Sequence, residues 1–406
     1  MRSITKRATQ AACAGSAALI LAACYSSSGL FPASSGSGNS SGSGSSSGPQ
    51  LSLSQINNSF SAMSALKPLA AKGQGSIAVI LPETATAGHF REFDAPYLKE
   101  SFRKAGLKAS QYTVQMPHGS DQFSAAQTAI TKGASVLIVD ARYSGVGVHI
   151  ESYAKAHGVP VIDYDTLTLG GTRNYYVGFD SLKVGVLLGQ GLVNCVSAWG
   201  VKHLQIIVMK GAPTEYNAPL FAEGYDAVLA RQFSSGWKDV SNPPGTWDPH
   251  IALGEFQQQY TAHKNINAAL IPNDENGAPI IGYLQSKGIK ARTFPTTGQD
   301  ATLGGLQNIL AGYQCGTVYK PIYLEAQAAA ALAMYVRAGV TPPAGLLNEN
   351  FTDPQTNTSV ASVLLTPEWV TTENMNSTVI ADKFVPASLL CKGKYASACS
   401  AAGISG

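Results

Sequence analysis

The sequence predicts an α/β protein in which two doubly wound, parallel-sheet lobes follow an exported N-terminal segment. From Ser76 onward, short apolar runs alternate with longer amphipathic stretches, a pattern typical of parallel strands covered by helices on both faces. The alternation restarts after residues 175–179, which indicates a second lobe. About 330 residues follow Gln74, enough for two lobes with substantial cores.

The N-terminus has the features of a secretory signal. Arg2, Lys6 and Arg7 form a basic start, and an uncharged, Ala-rich stretch at 8–23 follows. It is too short to span a membrane comfortably. Its end, Leu21-Ala22-Ala23-Cys24, resembles the bacterial lipobox, in which the Cys receives a diacylglycerol. We therefore predict a signal peptide at 1–23 and a lipid on Cys24; the alternative is an ordinary signal peptide with an incidental Cys.

A tether is predicted after the cleavage site. Residues 26–49 are almost entirely Ser and Gly, so they cannot bury enough apolar area to offset their chain entropy. Residues 51–72 either add a helix to a lobe surface or belong to the tether. The segment 24–74 is accordingly assigned to a tether and a pre-domain segment.

The charge balance argues against polyanionic partners. The chain has 28 Lys and Arg against 25 Asp and Glu, and loss of Arg2, Lys6 and Arg7 with the signal leaves 25 of each sign. A neutral body of this kind is not typical of nucleic-acid binding and suits an uncharged ligand.

Four cysteines remain after Cys13 in the signal and Cys24 at the anchor, and an even number in an exported chain favours disulfides. Cys391 and Cys399 are close in sequence, so a bridge between them is favoured, and Cys195 with Cys315 follows by elimination. Metal ligation is the competing interpretation. It is weaker because neither a Cys-x-x-Cys motif nor clustered His accompanies these residues, and we predict neither a metal nor a cofactor.

The alternating pattern assigns individual elements to each lobe. Before the restart we predict strands at 77–81, 112–116, 136–139 and 159–164 and helices at 94–105, 122–132 and 146–157. After it we predict strands at 205–209, 268–272, 293–297 and 316–319 and helices at 218–232, 277–287, 302–311 and 322–336. Ligands of open α/β sheets bind beyond the carboxyl ends of the strands. The polar residues at these ends are the candidates: Asp140, Asp165, Asn273, Asp274, Gln299 and Asp300.

Catalytic motifs are missing from the sequence. It has no P-loop and no H-E-x-x-H, and the G-x-S-x-G match at 38–42 is not preceded by a strand. Strand-end carboxylates suit either the acid/base pair of a glycosidase or the hydroxyls of a bound sugar, and the sequence does not separate these uses. Flat aromatics suit the apolar faces of a sugar ring, and Phe90 and Trp247 are the candidates in loops.

Ordered strings over residues 76–386 resemble the xylose-binding periplasmic proteins of the type I solute-binding family. The strings are Gly158-Val159-Pro160-Val161-Ile162, Tyr164-Asp165, Tyr176-Val177-Gly178-Phe179-Asp180, Asn217-Ala218-Pro219-Leu220-Phe221, Asn273-Asp274, Thr297-Gly298-Gln299-Asp300-Ala301, Thr317-Val318-Tyr319-Lys320-Pro321 and Leu364-Leu365-Thr366-Pro367. Each string is weak alone, but their common order is specific.

The resemblance implies a fold and a site. The two lobes are joined by three crossovers, near 178–181, 319–321 and 364–367, which form a hinge. The first lobe takes 75–178 plus 321–345, and the second takes 179–320 plus 362–406. Carried over position by position, the resemblance puts the stacking aromatics at Phe90 and Trp247, next to His89. It puts the polar contacts to the sugar at Asp165, Asn217, Asn273, Asp300 and Lys320.

Two departures concern the sugar recognised. The family has Arg before the first stacking aromatic, where this chain has His89, and commonly Arg after the Tyr-Asp pair, where it has Thr166. Arg supplies a rigid fork of donors that His and Thr lack. The resemblance therefore implies a monosaccharide more strongly than xylose itself; Arg91 and Arg142 are candidate replacements for the missing guanidinium groups.

The function that these observations predict is non-enzymatic. We expect a monomeric, lipid-anchored, extracytoplasmic binding protein that captures a monosaccharide between closing lobes for an ABC permease, with no nucleic-acid partner. The alternatives are a receptor that presents its ligand to a chemotaxis or sensor-kinase system and an exported glycoside-acting enzyme. A LacI-like regulator shares such lobes, but no basic helix-turn-helix precedes Ser76.

Overall fold

The computed structural model describes residues 48–83, 88–118, 121–241 and 243–405. The predicted signal peptide at 1–23, the lipidation site Cys24 and most of the Ser/Gly tether lie outside these residues. In chain order the strands are β1 (Ser76–Ile80), β2 (Tyr112–Gln115), β3 (Ala134–Val139), β4 (Val161–Tyr164), β5 (Tyr175–Phe179), β6 (Gln205–Val208), β7 (Lys238–Asp239), β8 (Ala268–Leu270), β9 (Thr317–Tyr319), β10 (Glu349–Asp353), β11 (Thr358–Leu365) and β12 (Glu368–Val370).

The helices that flank these strands follow the same order. They are α1 (Lys67–Lys72), α2 (Ala95–Lys104), α3 (Gln122–Thr131), α4 (Ser144–Ala156), α5 (Ser181–Trp199), α6 (Asn217–Ser234), α7 (Pro249–Ala262), α8 (Asp274–Ser286), α9 (Leu303–Leu310), α10 (Ile322–Arg337), α11 (Ala387–Leu390) and α12 (Ala396–Ala401).

The first lobe contains a sheet that, among the described residues, has seven strands in the order β10-β11-β5-β4-β3-β1-β2. Its pairs are parallel except for β10 with β11 at one edge. The central strands β1 and β3 are apolar on both faces because helices cover both. The Ala-rich α10, together with α1 and α2, packs on one face, and α3 and α4 pack on the other. The predicted class, α/β with doubly wound lobes, is confirmed.

Two boundaries of the first lobe differ from the sequence-based assignment. Leu51, Met63, Leu66 and Leu69 are buried in its core, so the pre-domain segment belongs to this lobe and not to the tether. At the other end, β11 pairs with β5, which places 362–365 in the sheet of the first lobe. Both segments lie outside the regular strand–helix alternation on which the boundaries were based.

The second lobe has a shorter and less regular sheet. Strands β7, β6 and β8 are parallel, and β9 pairs antiparallel with β12. The predicted strand at 293–297 is wrong, because only one bridge, between Ala269 and Thr296, forms there. Pro295 has no N–H to donate, and the Thr297 hydroxyl satisfies both the N–H and the carbonyl of Ile271.

Three chain segments cross between the lobes, and they lie where the resemblance implies. The chain leaves β5 for α5 at Asp180, leaves β9 for α10 at residues 320–321, and leaves β11 for β12 at residues 366–367. Each crossover directly follows the carboxyl end of a strand. The hinge and the polar strand ends are therefore neighbours, and this positions the site.

Two disulfides lock parts of the second lobe. Cys195 on α5 is joined to Cys315, which precedes β9, and Cys391 is joined to Cys399 on α12. These are the pairs that the sequence analysis favours.

Helix α5 is also the one described helix long and apolar enough to cross a membrane. Half of it is buried in the protein, and α6 packs so closely on it that a side chain at Gly185 would overlap the Phe221 carbonyl. That packing is typical of a core helix.

Candidate functional site

A cavity of about 260 Å³ lies at the carboxyl ends of strands from both lobes. The eight predicted ligand-contacting residues all line it: His89, Phe90, Asp165, Asn217, Trp247, Asn273, Asp300 and Lys320. The volume is close to the lower limit of roughly 300 Å³ for small-molecule sites. The cavity therefore suits a ligand of about one ring.

Lys320 occupies the crossover between β9 and α10, and its side chain is only 5% exposed. Its ammonium Nζ lies 3.5 Å from Asp165 Oδ1 of the first lobe and 3.3 Å from Asp300 Oδ1 of the second. Burial alone lowers the pKa of this ammonium, but the charges of Asp165 and Asp300 outweigh burial and hold its pKa above the usual range. Lys320 is therefore a permanent cation shared by carboxylates of both lobes.

Both carboxylates that contact Lys320 stand on left-handed backbone. Asp165 has φ 56° and Asp300 has φ 89°, values that are unfavourable for residues other than Gly. Each N–H is held by a neighbouring strand, Asp165 by the Val177 carbonyl and Asp300 by the Val318 carbonyl. Strained positions of this kind persist where the surroundings fix them, and they cluster at functional sites.

His89 keeps a positive charge on the wall of the cavity. Its Nδ1–H donates to Asp94 Oδ2 at 2.8 Å, and Asp94 Oδ1 accepts from the Tyr164 hydroxyl at 2.5 Å. Burial lowers the pKa of the imidazole, but the charge and hydrogen bond of Asp94 are stronger and raise it to about 9. Thus His89 supplies a cation to the cavity wall, although without the fork of donors that an Arg would have.

The two candidate stacking rings belong to opposite lobes. Phe90 begins a π-helical turn, Phe90–Asp94, that leads into α2, and the His89 ring packs on it with centroids 4.0 Å apart. Trp247 precedes α7 and donates from Nε1 to Glu215 Oε2 at 3.1 Å. Residue 211 must be Gly, because any side chain there would overlap the indole. Both residues line the cavity.

The two Asn residues differ in what they can offer a ligand. Asn217 Nδ2 already donates to Thr166 Oγ1 at 3.0 Å and to the Asp165 carbonyl at 3.3 Å, and its Oδ1 accepts from Ser181. Most hydrogen-bonding groups of this amide are therefore used in contacts within the protein, including contacts between the lobes, and little capacity remains for a ligand. Asn273 caps α8 through Oδ1, which accepts from Asn276 N at 3.1 Å, and among the described residues its Nδ2 donates to no partner, which leaves its N–H donors for a ligand.

Asp274, a candidate from its position at a strand end, does not line the cavity. It is buried and accepts hydrogen bonds from Gln314 Nε2, the Thr317 hydroxyl and the Thr302 N–H. Burial raises the pKa of its carboxyl to about 7, although these bonds oppose the shift. The prediction of a ligand-facing role is wrong for Asp274, because its side chain organises the loop that carries Asp300.

Several further residues of the cavity wall are not among the eight predicted ligand-contacting residues. Glu215 and Arg142 line the wall, as do Asp140 and Gln299, which were candidates only by their strand ends. Asp140 Oδ1 and Gln299 Oε1 are buried without a hydrogen-bond partner among the described residues, so both can accept from a ligand. Glu215 lies in a loop before α6, and nothing in its local sequence pattern distinguishes it.

Only one of the two candidate replacement arginines reaches the site. Arg142 lines the cavity and lies 3.4 Å from Glu83 Oε1. Arg91 is well exposed and lies near Glu92. Arg142 is therefore the guanidinium available to a ligand.

This architecture, two α/β lobes with a cavity at their shared strand ends, defines a hinged binding protein. A family model described as "Periplasmic binding protein domain" matches residues 77–340. The chain belongs to this family, and the type I resemblance is confirmed.

Two curated relatives are similar in sequence to this chain over most of their length. The D-xylose-binding periplasmic protein of Escherichia coli K12 is 33% identical over 288 residues, 70% of this chain and 84% of that protein. The multiple sugar-binding periplasmic receptor ChvE of Rhizobium radiobacter is 28% identical over 349 residues, 80% of this chain and 94% of that protein. Their names describe binding proteins and not enzymes.

Solved structures show the same fold. A carbohydrate transporter solute-binding protein of Chloroflexus aurantiacus, in complex with D-glucose, superposes with a TM-score of 0.67 at 23% identity, covering 77% of this chain and 97% of that one. An ABC transporter solute-binding protein of Clostridium phytofermentans with bound β-D-glucose gives 0.68 at 20% identity, covering 78% and 100%.

The His89–Asp94 pair predicts a pH dependence of stability. Because the folded-state pKa of about 9 lies above the ordinary value of 6.5, the stabilisation is complete below pH 6.5 and is lost as pH rises through about 9. We expect His89→Gln to remove a contribution on the order of 3 kcal/mol at neutral pH and much less above pH 9. Urea unfolding between pH 6 and 10 measures it.

The matched control is His149→Gln, at an exposed position on α4. It should leave the free energy of unfolding within about 0.5 kcal/mol of the unaltered protein. An equal loss for His89→Gln at pH 6.5 and pH 10 would contradict a charged His89.

Proposed function

We propose that this chain is an extracytoplasmic substrate-binding protein that captures a monosaccharide between two closing lobes for import by an ABC transporter. The observation that carries the proposal is the cavity wall. A buried Lys320 bridges Asp165 and Asp300, and Phe90 and Trp247 face the same space from opposite lobes. Carboxylates accept from hydroxyls at fixed geometry, and flat rings cover the C–H faces of a pyranose.

The names of the relatives support the same class of ligand. They include a D-xylose-binding protein at 33% identity and multiple sugar-binding proteins at 28%. A cavity of about 260 Å³ favours one pentose or hexose over a longer saccharide. His89 and Thr166 stand where the family has Arg, so the preferred sugar need not be xylose. One relative is named a receptor, which supports ligand presentation to a sensor as the second candidate.

The proposed closure of the two lobes around a ligand is supported by the contacts that join them. Lys320, Asn217 and Glu215 each bond to Asp165 or Thr166 of the first lobe, and Glu275 Oε1 accepts from the Gly88 N–H at 2.6 Å. A sugar that contacts both walls stabilises the state in which the walls are close, by its differential affinity for that state.

Titration against a panel of pentoses and hexoses tests the proposal. We expect one sugar bound per chain with an affinity near the micromolar range, roughly −8 kcal/mol, measured by isothermal titration calorimetry. Trp247→Ala should weaken binding of the preferred sugar by about fivefold or more, because stacking contributes about 1 kcal/mol or more. Trp199→Ala, outside the cavity at the end of α5, is the control.

Two outcomes of this titration contradict the proposal. No heat of binding with any sugar would refute monosaccharide capture. Unchanged affinity in Trp247→Ala would remove the indole from the site.

Attachment to the membrane through Cys24 is a separate part of the proposal. It is supported by the lipobox-like string and by the Ser/Gly-rich tether, which would let the lobes reorient near a permease. We expect the unaltered protein in the membrane fraction of an expressing bacterium and Cys24→Ser in the soluble fraction. Mass spectrometry should find a mature N-terminus at residue 24 carrying a diacylglycerol. Cleavage at another position, or an unmodified soluble product, would contradict the anchor.

A further inference from the structure

Glu215 is an acidic residue of the cavity wall whose role the proposed function leaves open. It lies in the loop before α6, and its carboxylate receives three hydrogen bonds. Oε1 accepts from the Thr166 hydroxyl at 2.8 Å and from the Asn217 N–H at 2.8 Å, while Oε2 accepts from Trp247 Nε1–H at 3.1 Å.

The three donors come from parts of the site that a ligand must contact together. Trp247 belongs to the second lobe, and Thr166 follows Asp165 in the first lobe. All of them line the same cavity. A single carboxylate is therefore hydrogen-bonded both to the indole of one wall and to the hydroxyl of the opposite wall.

We propose that Glu215 is a positioning residue of the sugar site, whose carboxylate aligns the Trp247 indole with Thr166 and Asp165 across the lobe boundary. The inference rests on the proposed function. Glu215 would thereby help to determine which arrangement of sugar hydroxyls is bound beside the stacking aromatics. Thr166 has one hydroxyl and lacks the fork of donors with which an Arg would recognise these hydroxyls.

Only the charged form of this side chain offers two strong carboxylate acceptors to the three donors. A Gln amide has one oxygen that accepts and an NH₂ that only donates, so in Gln a donor faces another donor, either at Trp247 Nε1–H or at the Asn217 N–H. A protonated carboxyl keeps one carbonyl acceptor and a hydroxyl that donates and accepts less strongly, so its bonds to the two N–H groups are weaker than those of the carboxylate. The Thr166 hydroxyl can reverse its role, but a backbone or indole N–H cannot.

The same geometry makes binding sensitive to protons. Burial and the neighbouring charge of Asp165 raise the pKa of Glu215 to about 7, although its three hydrogen bonds oppose the shift. Its charge also acts on Asp140 and Tyr176 of the first lobe, and Lys320 is paired with Asp165. Arg142 and Asp248 are further ionisable residues of the same cavity wall. Loss of the carboxylate below about pH 7 should therefore loosen the aligned site.

Calorimetric titration with the preferred sugar at pH 6, 7 and 8 tests the proposal. For one group with a pKa near 7, the dissociation constant should rise about tenfold from pH 8 to pH 6. Glu215→Gln should bind about tenfold more weakly at pH 8 and show little further change at pH 6. Glu223→Gln, an exposed position on α6 outside the cavity, should follow the unaltered protein at each pH.

A second variant separates positioning from a general loss of structure. In a Trp247→Phe background the indole N–H is absent, so a Gln at 215 can point its oxygen at Thr166 and Asn217 without a clash. Glu215→Gln should then cost about threefold or less. Thermal unfolding in parallel shows whether each variant is folded, and Glu215→Asp, which keeps the charge, should retain the pH dependence.

The outcomes distinguish this inference from the function on which it rests. Normal affinity of Glu215→Gln at pH 8, an equal cost in both backgrounds, or a pH dependence as steep in Glu215→Gln as in the unaltered protein would each overturn the role of Glu215 while sugar binding stands. Failure of the unaltered protein to bind any sugar at any of the three pH values would overturn the proposed function, and this inference with it.

Discussion

The buried ammonium of Lys320 is the interaction on which the rest of the site depends. Removing an ammonium from water costs several kcal/mol unless opposite charges compensate it, and here the compensation comes from Asp165 in one lobe and Asp300 in the other. Because Lys320 is also a crossover residue, the charge lies at the hinge itself. Lys320 forms both ion pairs only when the segments that carry Asp165 and Asp300 lie close together.

Several local features follow from this constraint. Both carboxylates are carried on left-handed backbone, Asp165 directly after β4 and Asp300 in the loop before α9, and both side chains contact the shared cation. Around this centre, the His89–Asp94–Tyr164 chain holds a second cation. The cavity therefore combines fixed charges with apolar rings, as a ligand with hydroxyl edges and C–H faces requires.

The sequence predicts the lobes, the crossovers and most of the cavity wall, because each depends on a repeated or ordered pattern. A strand end marks Asp165, and the ordered strings mark Asp300 and Lys320. Prediction from the sequence fails where tertiary contacts determine the local structure. The hydrophobic residues at 51–69 resemble a linker until the core that they cover is known, and the run at 293–297 has strand character that Pro295 interrupts. Asp274 begins α8 and Glu215 lies in the loop before α6, and only the fold shows that Glu215 lines the cavity whereas Asp274 does not.

On this structure, a sugar ring should bind between Phe90 and Trp247 with its hydroxyls on the carboxylates that pair with Lys320. The most direct test is a crystal structure of the protein with its highest-affinity monosaccharide. We expect the ring between these two aromatics, hydroxyls within hydrogen-bond distance of Asp165 and Asp300, and Lys320 still between them. A sugar bound elsewhere, or a cavity in which Lys320 has left both carboxylates, would contradict this account.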